Sequence, residues 1–143
     1  PVLDRLEADH ANLRSAFLRL LELDRQADAA ELTMSLWLHL GLRGYAREGL
    51  GWLDRLHGAG SDAAVVRAAV ARMGLMLVVG DVAGMRREAA VALPLARRGG
   101  EPTVEGEAMV LAGLAAVFAG DLDEASDLLR PDLQLPDGEA ERW

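Results

Sequence analysis

The spacing of apolar residues constrains this chain more than any other feature, because they recur every three or four positions in one segment after another. In the first segment the stripe runs through Leu3, Leu6, His10, Leu13, Phe17 and Leu20. Residues at this spacing fall on one face of an α-helix. No useful length of the sequence alternates with the period of two that a half-buried strand requires. The sequence therefore predicts an all-α chain.

The same periodicity and its interruptions predict about seven helices in a single domain that covers residues 1–143. A leading helix is expected at 2–23, three antiparallel helix pairs at about 27–58, 61–98 and 103–130, and a tail at 131–143. Ser61 is expected to cap a helix N-terminus. Pro94 is expected to kink the fifth helix or end it near Leu93, since an interior proline costs about 3 kcal/mol.

Three glycines divide the chain into units of similar length. Gly44, Gly80 and Gly120 each lie between two predicted helices, and they are 36 and 40 residues apart. Two helices per unit at a period of about 34 to 45 residues are typical of a helical solenoid. The expected fold is therefore an α-α superhelix.

One of these units resembles a tetratricopeptide repeat. In the stretch LAGLAAVFAGDLDEASDLL (Leu111–Leu129), Gly113 matches the packing glycine of that repeat and Ala125 its small residue early in the second helix, with Gly120-Asp121 at the turn. The two earlier units depart from the pattern. Gly74 is one residue out of register, and Trp37 replaces the packing glycine. The resemblance implies a solenoid of the tetratricopeptide type, with Gly113 at a contact between two helices.

The N-terminal part is similar to another group of proteins. LEADHANLRSAFLRLLE (Leu6–Glu22) and LWLHLGLRGYAREGLGWLDRL (Leu36–Leu56) resemble the helical region of large ATP-binding LuxR-type and SARP-type transcriptional regulators of the STAND class. In that class the region follows nucleotide-binding and winged-helix segments. The resemblance implies a piece of a longer bacterial regulator, an interpretation that the start at Pro1 without a methionine also favours. It implies a non-catalytic role in protein interaction or signal sensing.

The glycine-rich stretch Gly41–Gly51 raises the question of a phosphate-binding loop. Such a loop needs a lysine that reaches the phosphates, and all fifteen basic residues of this chain are arginine. The stretch also follows a predicted helix and not a strand. We therefore interpret Gly44 as a helix-ending turn, and Gly49 and Gly51 as helical glycines that allow a neighbouring helix to come close.

The sequence contains no pattern typical of a catalytic or metal site. Cysteine is absent, and His10, His39 and His57 lack the spacing of a zinc motif, so they are expected to be partly buried or on the surface. No serine has the Gly-x-Ser-x-Gly setting of a nucleophile. The acidic clusters fall in first helical turns or on solvated faces. The prediction is a protein that is not an enzyme and has no cofactor.

A cluster of aromatic and basic residues is the best candidate for partner binding. Its members lie within sixteen positions of one another: Trp37, Arg43, Tyr45, Arg47 and Trp52. The favoured interpretation is that the rings fill the space between the second and third helices, and the alternative is that some line the inner groove as anchors. Arg43 and Arg47 are expected to pair with Glu48 in preference to facing an anionic partner.

Charge and hydropathy restrict the partners. The net charge of −8 argues against direct nucleic-acid contact by this part of the chain, since phosphate binding requires a basic face. No signal peptide and no apolar run as long as a membrane span are recognised, so a cytoplasmic location is expected. The predicted partner is another protein or another domain of the same regulator. A small-molecule effector in the concave groove is the alternative.

The C-terminal end of the solenoid is expected to lack its natural cover. A face containing Val117, Leu122 and Leu128 would be left apolar and open, which predicts a homodimer of this chain through that face. In the alternative, Leu133, Leu135 and Trp143 fold back over it.

Overall fold

The apolar stripes form helices throughout the part of the chain that the computed structural model describes, residues 2–56, 60–99 and 101–130. Within these ranges there is no strand, which confirms the predicted all-α class. The helices are α1 (Val2–Ala8), α2 (His10–Glu22), α3 (Gln26–Leu42), α4 (Ala46–Leu53), α5 (Asp62–Val79), α6 (Val82–Gly99), α7 (Pro102–Ala119) and α8 (Leu122–Leu129). The predicted tail at 131–143 and His57 lie outside the described residues.

The segment predicted as one leading helix contains two helices, α1 and α2. The described residues therefore form eight helices, one more than the seven predicted. The break is at Asp9, which has φ −95° and ψ 5°. Hydrogen bonds continue across it, since Asp9 N–H donates to the Arg5 carbonyl and Leu13 N–H to the Asp9 carbonyl, at 3.0 and 2.9 Å. Asp9 therefore bends the segment locally. Helix α1 buries no residue, whereas α2 buries His10 and Phe17.

The glycines at the predicted turns have the left-handed backbone that ends a helix. Gly44, Gly80 and Gly120 have φ values of 84°, 78° and 80°. A side chain disfavours this conformation, so glycine is the usual residue there. The turns predicted from the 36- and 40-residue spacing are confirmed.

At the start of α5, α6 and α8, a side chain accepts a hydrogen bond from a backbone N–H of the first helical turn. Ser61 Oγ accepts from the Ala64 N–H at 3.3 Å, as predicted for a cap. Asp81 Oδ1 accepts from the Gly84 N–H at 2.8 Å, and Asp121 Oδ1 from the Glu124 N–H at 3.2 Å. Each Gly-Asp step thus ends one helix and caps the next.

Helix α6 continues through Pro94, so of the two expected outcomes, a kink or an early end near Leu93, the early end did not occur. Its span, Val82–Gly99, has proline in the interior. An interior proline removes one N–H hydrogen bond, and its ring clashes with the carbonyl four residues earlier. Ala89, Ala92 and Ala96 are buried on both sides of it, and their packing keeps the helix in place.

The helices pack in a regular order. Helix α3 contacts α5, and α5 contacts α7, while each of the three also contacts the helix that follows it. Helix α2 packs against α3 at the N-terminal end. Helices α3, α5 and α7 therefore form one row, and α4, α6 and α8 alternate with them in the sequence.

The interior consists of two clusters of buried residues. One surrounds Phe17 and Leu53 between α2, α3, α4 and α5. The other surrounds Met73 and Met85 between α5, α6 and α7, with many alanines. Because alanine side chains are small, the many buried alanines allow the axes of α5, α6 and α7 to lie close together.

Two of the three helical glycines predicted to pack do so. A β-carbon at Gly113 would lie 2.5 Å from Leu129 Cγ, which confirms its position at a contact between α7 and α8. A β-carbon at Gly49 would lie 2.7 Å from a methyl group of Leu75. At Gly51 no atom of another described residue lies within 4 Å of that position, so the packing role predicted for Gly51 was wrong.

Helix α7 is long and apolar enough to cross a membrane by length and composition alone, with a mean hydropathy of 1.3 over its 18 residues. The expectation that no segment reaches that length was therefore wrong for this helix. Helix α7 contacts α5, α6 and α8, and it buries Leu111, Gly113 and Ala115 among other residues.

Candidate binding groove

Trp37, a member of the predicted aromatic cluster, lines a groove in the described part of the chain. It is half-buried on α3, and its ring lies where a side chain of Gly74 on α5 would be. A β-carbon at Gly74 would lie 2.4 Å from Trp37 Cε3. The large ring of Trp37 on α3 is thus accommodated by a glycine on α5.

One side of Trp37 faces a pocket of about 560 Å³ with mixed polarity. The pocket spans the row of α3, α5 and α7. Its other lining residues are Glu31, Met34, Ser35, Leu38, Arg67, Val104 and Glu107.

The second pocket, of about 440 Å³, is almost entirely apolar. It shares Trp37 and Glu107 with the first. Its remaining lining residues are Leu77, Pro102, Thr103, Gly106, Val110, Leu111 and Leu114. The two pockets form one groove, here called the Trp37 groove, with a polar half and an apolar half.

The polar half carries surplus negative charge. Its one basic lining residue, Arg67, donates from Nη2 to Glu101 Oε2 at 2.5 Å, and this ion pair neutralises it. Neither Glu31 nor Glu107 has an ion-pair or hydrogen-bond partner in the described part of the chain. Two uncompensated carboxylates therefore flank the tryptophan.

Gly106 lies in the apolar half, in the interior of α7, and sequence reasoning missed it. No atom of another described residue lies within 4 Å of where its β-carbon would be. A helical glycine costs about 1 kcal/mol relative to alanine, and here no neighbouring helix uses the bare backbone. A glycine near the start of a helix rich in apolar residues was the signal available in the sequence.

Tyr45 and Trp52 lie away from the groove, around the buried histidines. The Trp52 side chain is 5% exposed and stacks on Phe17 with ring centroids 4.9 Å apart. The Tyr45 ring stacks on His10 at 3.8 Å, and its hydroxyl donates to Glu7 Oε1 at 2.7 Å. Both rings pack against α2, whereas the favoured interpretation placed them between the second and third predicted helices.

The predicted pairing of Arg43 or Arg47 with Glu48 was wrong. Arg43 Nη2 donates to Asp4 Oδ1 at 2.5 Å, which ties the end of α3 to α1. Glu48 accepts instead from Arg14 Nε at 2.6 Å, because its side chain faces α2. Arg47 is exposed and has no ion-pair partner among residues 2–56, 60–99 and 101–130.

His10 and His39 meet in the interior between α2 and α3, with ring centroids 5.8 Å apart. Their side chains were expected to be partly buried or on the surface, yet His39 is only 2% exposed. His10 Nε2 lies 3.1 Å from Glu48 Oε2. Neither nitrogen of His39 has a partner among the described protein atoms. The place of His10 on the apolar stripe between Leu6 and Leu13 was the signal that could have located the first of the pair.

Burial lowers the pKa of His39 below its ordinary value of 6.5, and the neighbouring His10 lowers it further. The hydrogen bond from Arg14 lowers the pKa of Glu48. His39 is therefore neutral and Glu48 ionised near pH 7.

These residues do not form a metal centre. No group of three or more His, Asp or Glu side chains in the described ranges is placed to hold an ion. Among the described residues, the Trp37 groove is an arrangement with the shape and volume to bind a ligand. Comparison with protein-family models, with curated proteins and with solved structures gave no match to this chain.

Proposed function

We propose that this chain is a non-catalytic binding module, and that the Trp37 groove takes up a segment of a protein partner or of another part of the same polypeptide. The observation that carries the proposal is the position of Trp37 between two adjoining pockets on the row of α3, α5 and α7. A rigid aromatic side chain in a concave, partly apolar surface is a typical anchor for a protein ligand.

We infer further that the helices form an α-α superhelix of the tetratricopeptide type. The alternation of contacts along α3, α5 and α7, each also packed on its following helix, supports this arrangement. The left-handed glycines at 44, 80 and 120 support the repeat. In such a superhelix the first helix of every pair lines the inner surface, and that is the row that carries the groove.

The proposed setting is a bacterial transcriptional regulator of the STAND class, in the cytoplasm. It rests on the resemblance of Leu6–Glu22 and Leu36–Leu56 to the helical region of those proteins. Within such a protein the module would sense a signal by binding it and pass the change to the neighbouring domains. DNA contact is assigned to another part of the regulator, because this part is acidic.

A small-molecule effector is the second candidate. The apolar half of the groove, at about 440 Å³, falls within the size range of small-molecule pockets. A protein segment is favoured because the groove continues past Trp37 into the polar half, and because Val110 on its wall is 50% exposed.

Selection of random peptides displayed on phage against the immobilised protein tests the proposal. Val110→Arg places a long charged side chain in the groove from an exposed position, and Val91→Arg on α6 is the matched control at a similarly exposed valine. We expect selected peptides to bind the wild type and Val91→Arg, and to lose most affinity for Val110→Arg. Peptides that bind all three proteins equally would refute the groove as the binding surface.

Thermal-shift screening with metabolites tests the second candidate on the same variants. A compound that raises the melting temperature of the wild type and of Val91→Arg, but not of Val110→Arg, would favour the effector over the peptide.

A further inference from the structure

We propose that the segment bound in the Trp37 groove is cationic and apolar together: an arginine or lysine lies beside Trp37, Glu31 and Glu107, and an adjacent apolar side chain rests on the bare backbone of Gly106. This inference depends on the proposed function and adds the chemical class of the ligand.

Charge complementarity in the polar half of the groove is the first argument. The carboxylates of Glu31 and Glu107 have no partner among the described residues, and Arg67 is neutralised by Glu101. An anionic ligand would meet two uncompensated negative charges. A guanidinium or ammonium group would supply the missing counter-charge and form charge-assisted hydrogen bonds.

Trp37 provides the second argument. A cation over or beside an indole ring is attracted by the negative face of the π system, and tryptophan is the strongest of the aromatic residues in this respect. Gly74 receives one part of the ring, while the same side chain lines both pockets. The ring is thus held in place against α5 and remains available to a ligand.

The third argument concerns the apolar half. Its walls include Leu77, Val110 and Leu114, and Gly106 leaves the surface of α7 uncovered between them and the polar half. Since no atom of the described chain uses this space, a ligand side chain can lie directly on the helix backbone. An aliphatic or aromatic residue next to the cation fits there.

Three fluorescein-labelled pools of short peptides would test the class of ligand. The pools share the same random mixture of leucine, valine, phenylalanine and serine, and differ only in whether every third position is arginine, glutamine or glutamate. Fluorescence anisotropy at about 150 mM salt, which screens exposed charges beyond about 8 Å, reports their affinities. We expect the arginine pool to bind about ten-fold tighter than the glutamine pool, and the glutamate pool to bind weakest, as two charge-assisted contacts predict.

Two pairs of variants locate the effect. The double variant Glu31→Gln, Glu107→Gln should remove the preference for the arginine pool. The control double variant Asp123→Asn, Asp127→Asn on α8 removes the same amount of negative charge away from the groove and should keep that preference. Gly106→Ala should weaken binding of the arginine pool, whereas Gly51→Ala, at a helical glycine that also has open space, should not. Circular dichroism melting verifies that all variants fold.

The outcomes separate the two proposals. If the glutamine pool binds as tightly as the arginine pool, or if the preference survives Glu31→Gln with Glu107→Gln, the cationic class is overturned while the groove stands. If no pool responds to Gly106→Ala or to Val110→Arg, the groove itself is overturned.

Discussion

The ring of Trp37 occupies the space that a side chain at residue 74 would fill, with Cε3 only 2.4 Å from the β-carbon position of Gly74. The two residues lie on neighbouring helices, α3 and α5. Trp37, the proposed anchor for a ligand, therefore also contributes to the packing of α3 against α5.

Gly74→Ala should destabilise the protein because its methyl group overlaps the Trp37 ring. We expect a loss of about 1–3 kcal/mol in the free energy of unfolding, measured by urea denaturation. In a Trp37→Ala background the overlap is gone, and the same substitution should stabilise by up to about 1 kcal/mol through helix propensity. Equal effects in the two backgrounds would show that the contact does not form.

Gly113→Leu should overpack the contact between α7 and α8, because Leu129 already occupies the space beside Gly113. The expected cost is about 1–3 kcal/mol. Gly106→Leu is the control on the same helix, where the β-carbon position is open, and it should not lower stability. A melting temperature raised by Gly113→Leu would contradict the assigned contact.

Acidification should weaken the fold through His39. Burial lowers its pKa below 6.5 in the folded protein, so the unfolded chain binds the proton more readily. The stability that depends on neutral His39 is complete above about pH 6.5 and is lost as the pH falls toward the lowered pKa. The pKa of Glu48 is also lowered, but its contribution is lost only below its ordinary value of 4.5.

The His39→Leu variant distinguishes the contribution of His39 to the pH dependence of stability from that of Glu48. The substitution removes two buried nitrogens that lack a partner among the described residues, so we expect stability at pH 7 to be unchanged or higher. Urea denaturation between pH 7.5 and pH 5 should show a smaller decline for His39→Leu than for the wild type. Parallel declines would mean that His39 does not carry the pH dependence.

Self-association through the C-terminal end of the described helices remains a prediction. Phe118 and Leu122 are 60% and 66% exposed, and Val117 is also exposed. Leu128, which we expected on this face, instead packs partly against the core. Sedimentation velocity over a range of concentrations should reveal a dimer, and Leu122→Glu should reduce it because a charge would enter the apolar contact.

Val91→Glu on α6 is the control for that experiment, since it adds a charge at another exposed valine. A wild-type protein that stays monomeric at high concentration would contradict self-association. It would favour the alternative in which Leu133, Leu135 and Trp143 cover the face.

The sequence by itself determined the helices and the turns between them, because those depend on local spacing. Apolar residues three and four apart specify a helical face, and glycine is the residue that adopts the left-handed turn at Gly44, Gly80 and Gly120. Gly113 was placed correctly for a related reason: its unit resembles a repeat whose packing glycine is part of the pattern. Local spacing did not reveal the break at Asp9, and it left open whether α6 continues through Pro94 or ends near Leu93.

Only the tertiary structure decided which side chains meet. The pairs of Arg43 with Asp4, Glu48 with Arg14 and Glu48 with His10 join residues 34 to 39 positions apart. The space that Gly74 leaves for Trp37 and the uncovered backbone at Gly106 are likewise features of facing helices. The spacing of apolar residues predicts which face of a helix is buried. The angle and offset at which two helices cross determine which side chains contact each other. The Trp37 groove and the buried histidine pair exist only through that crossing geometry.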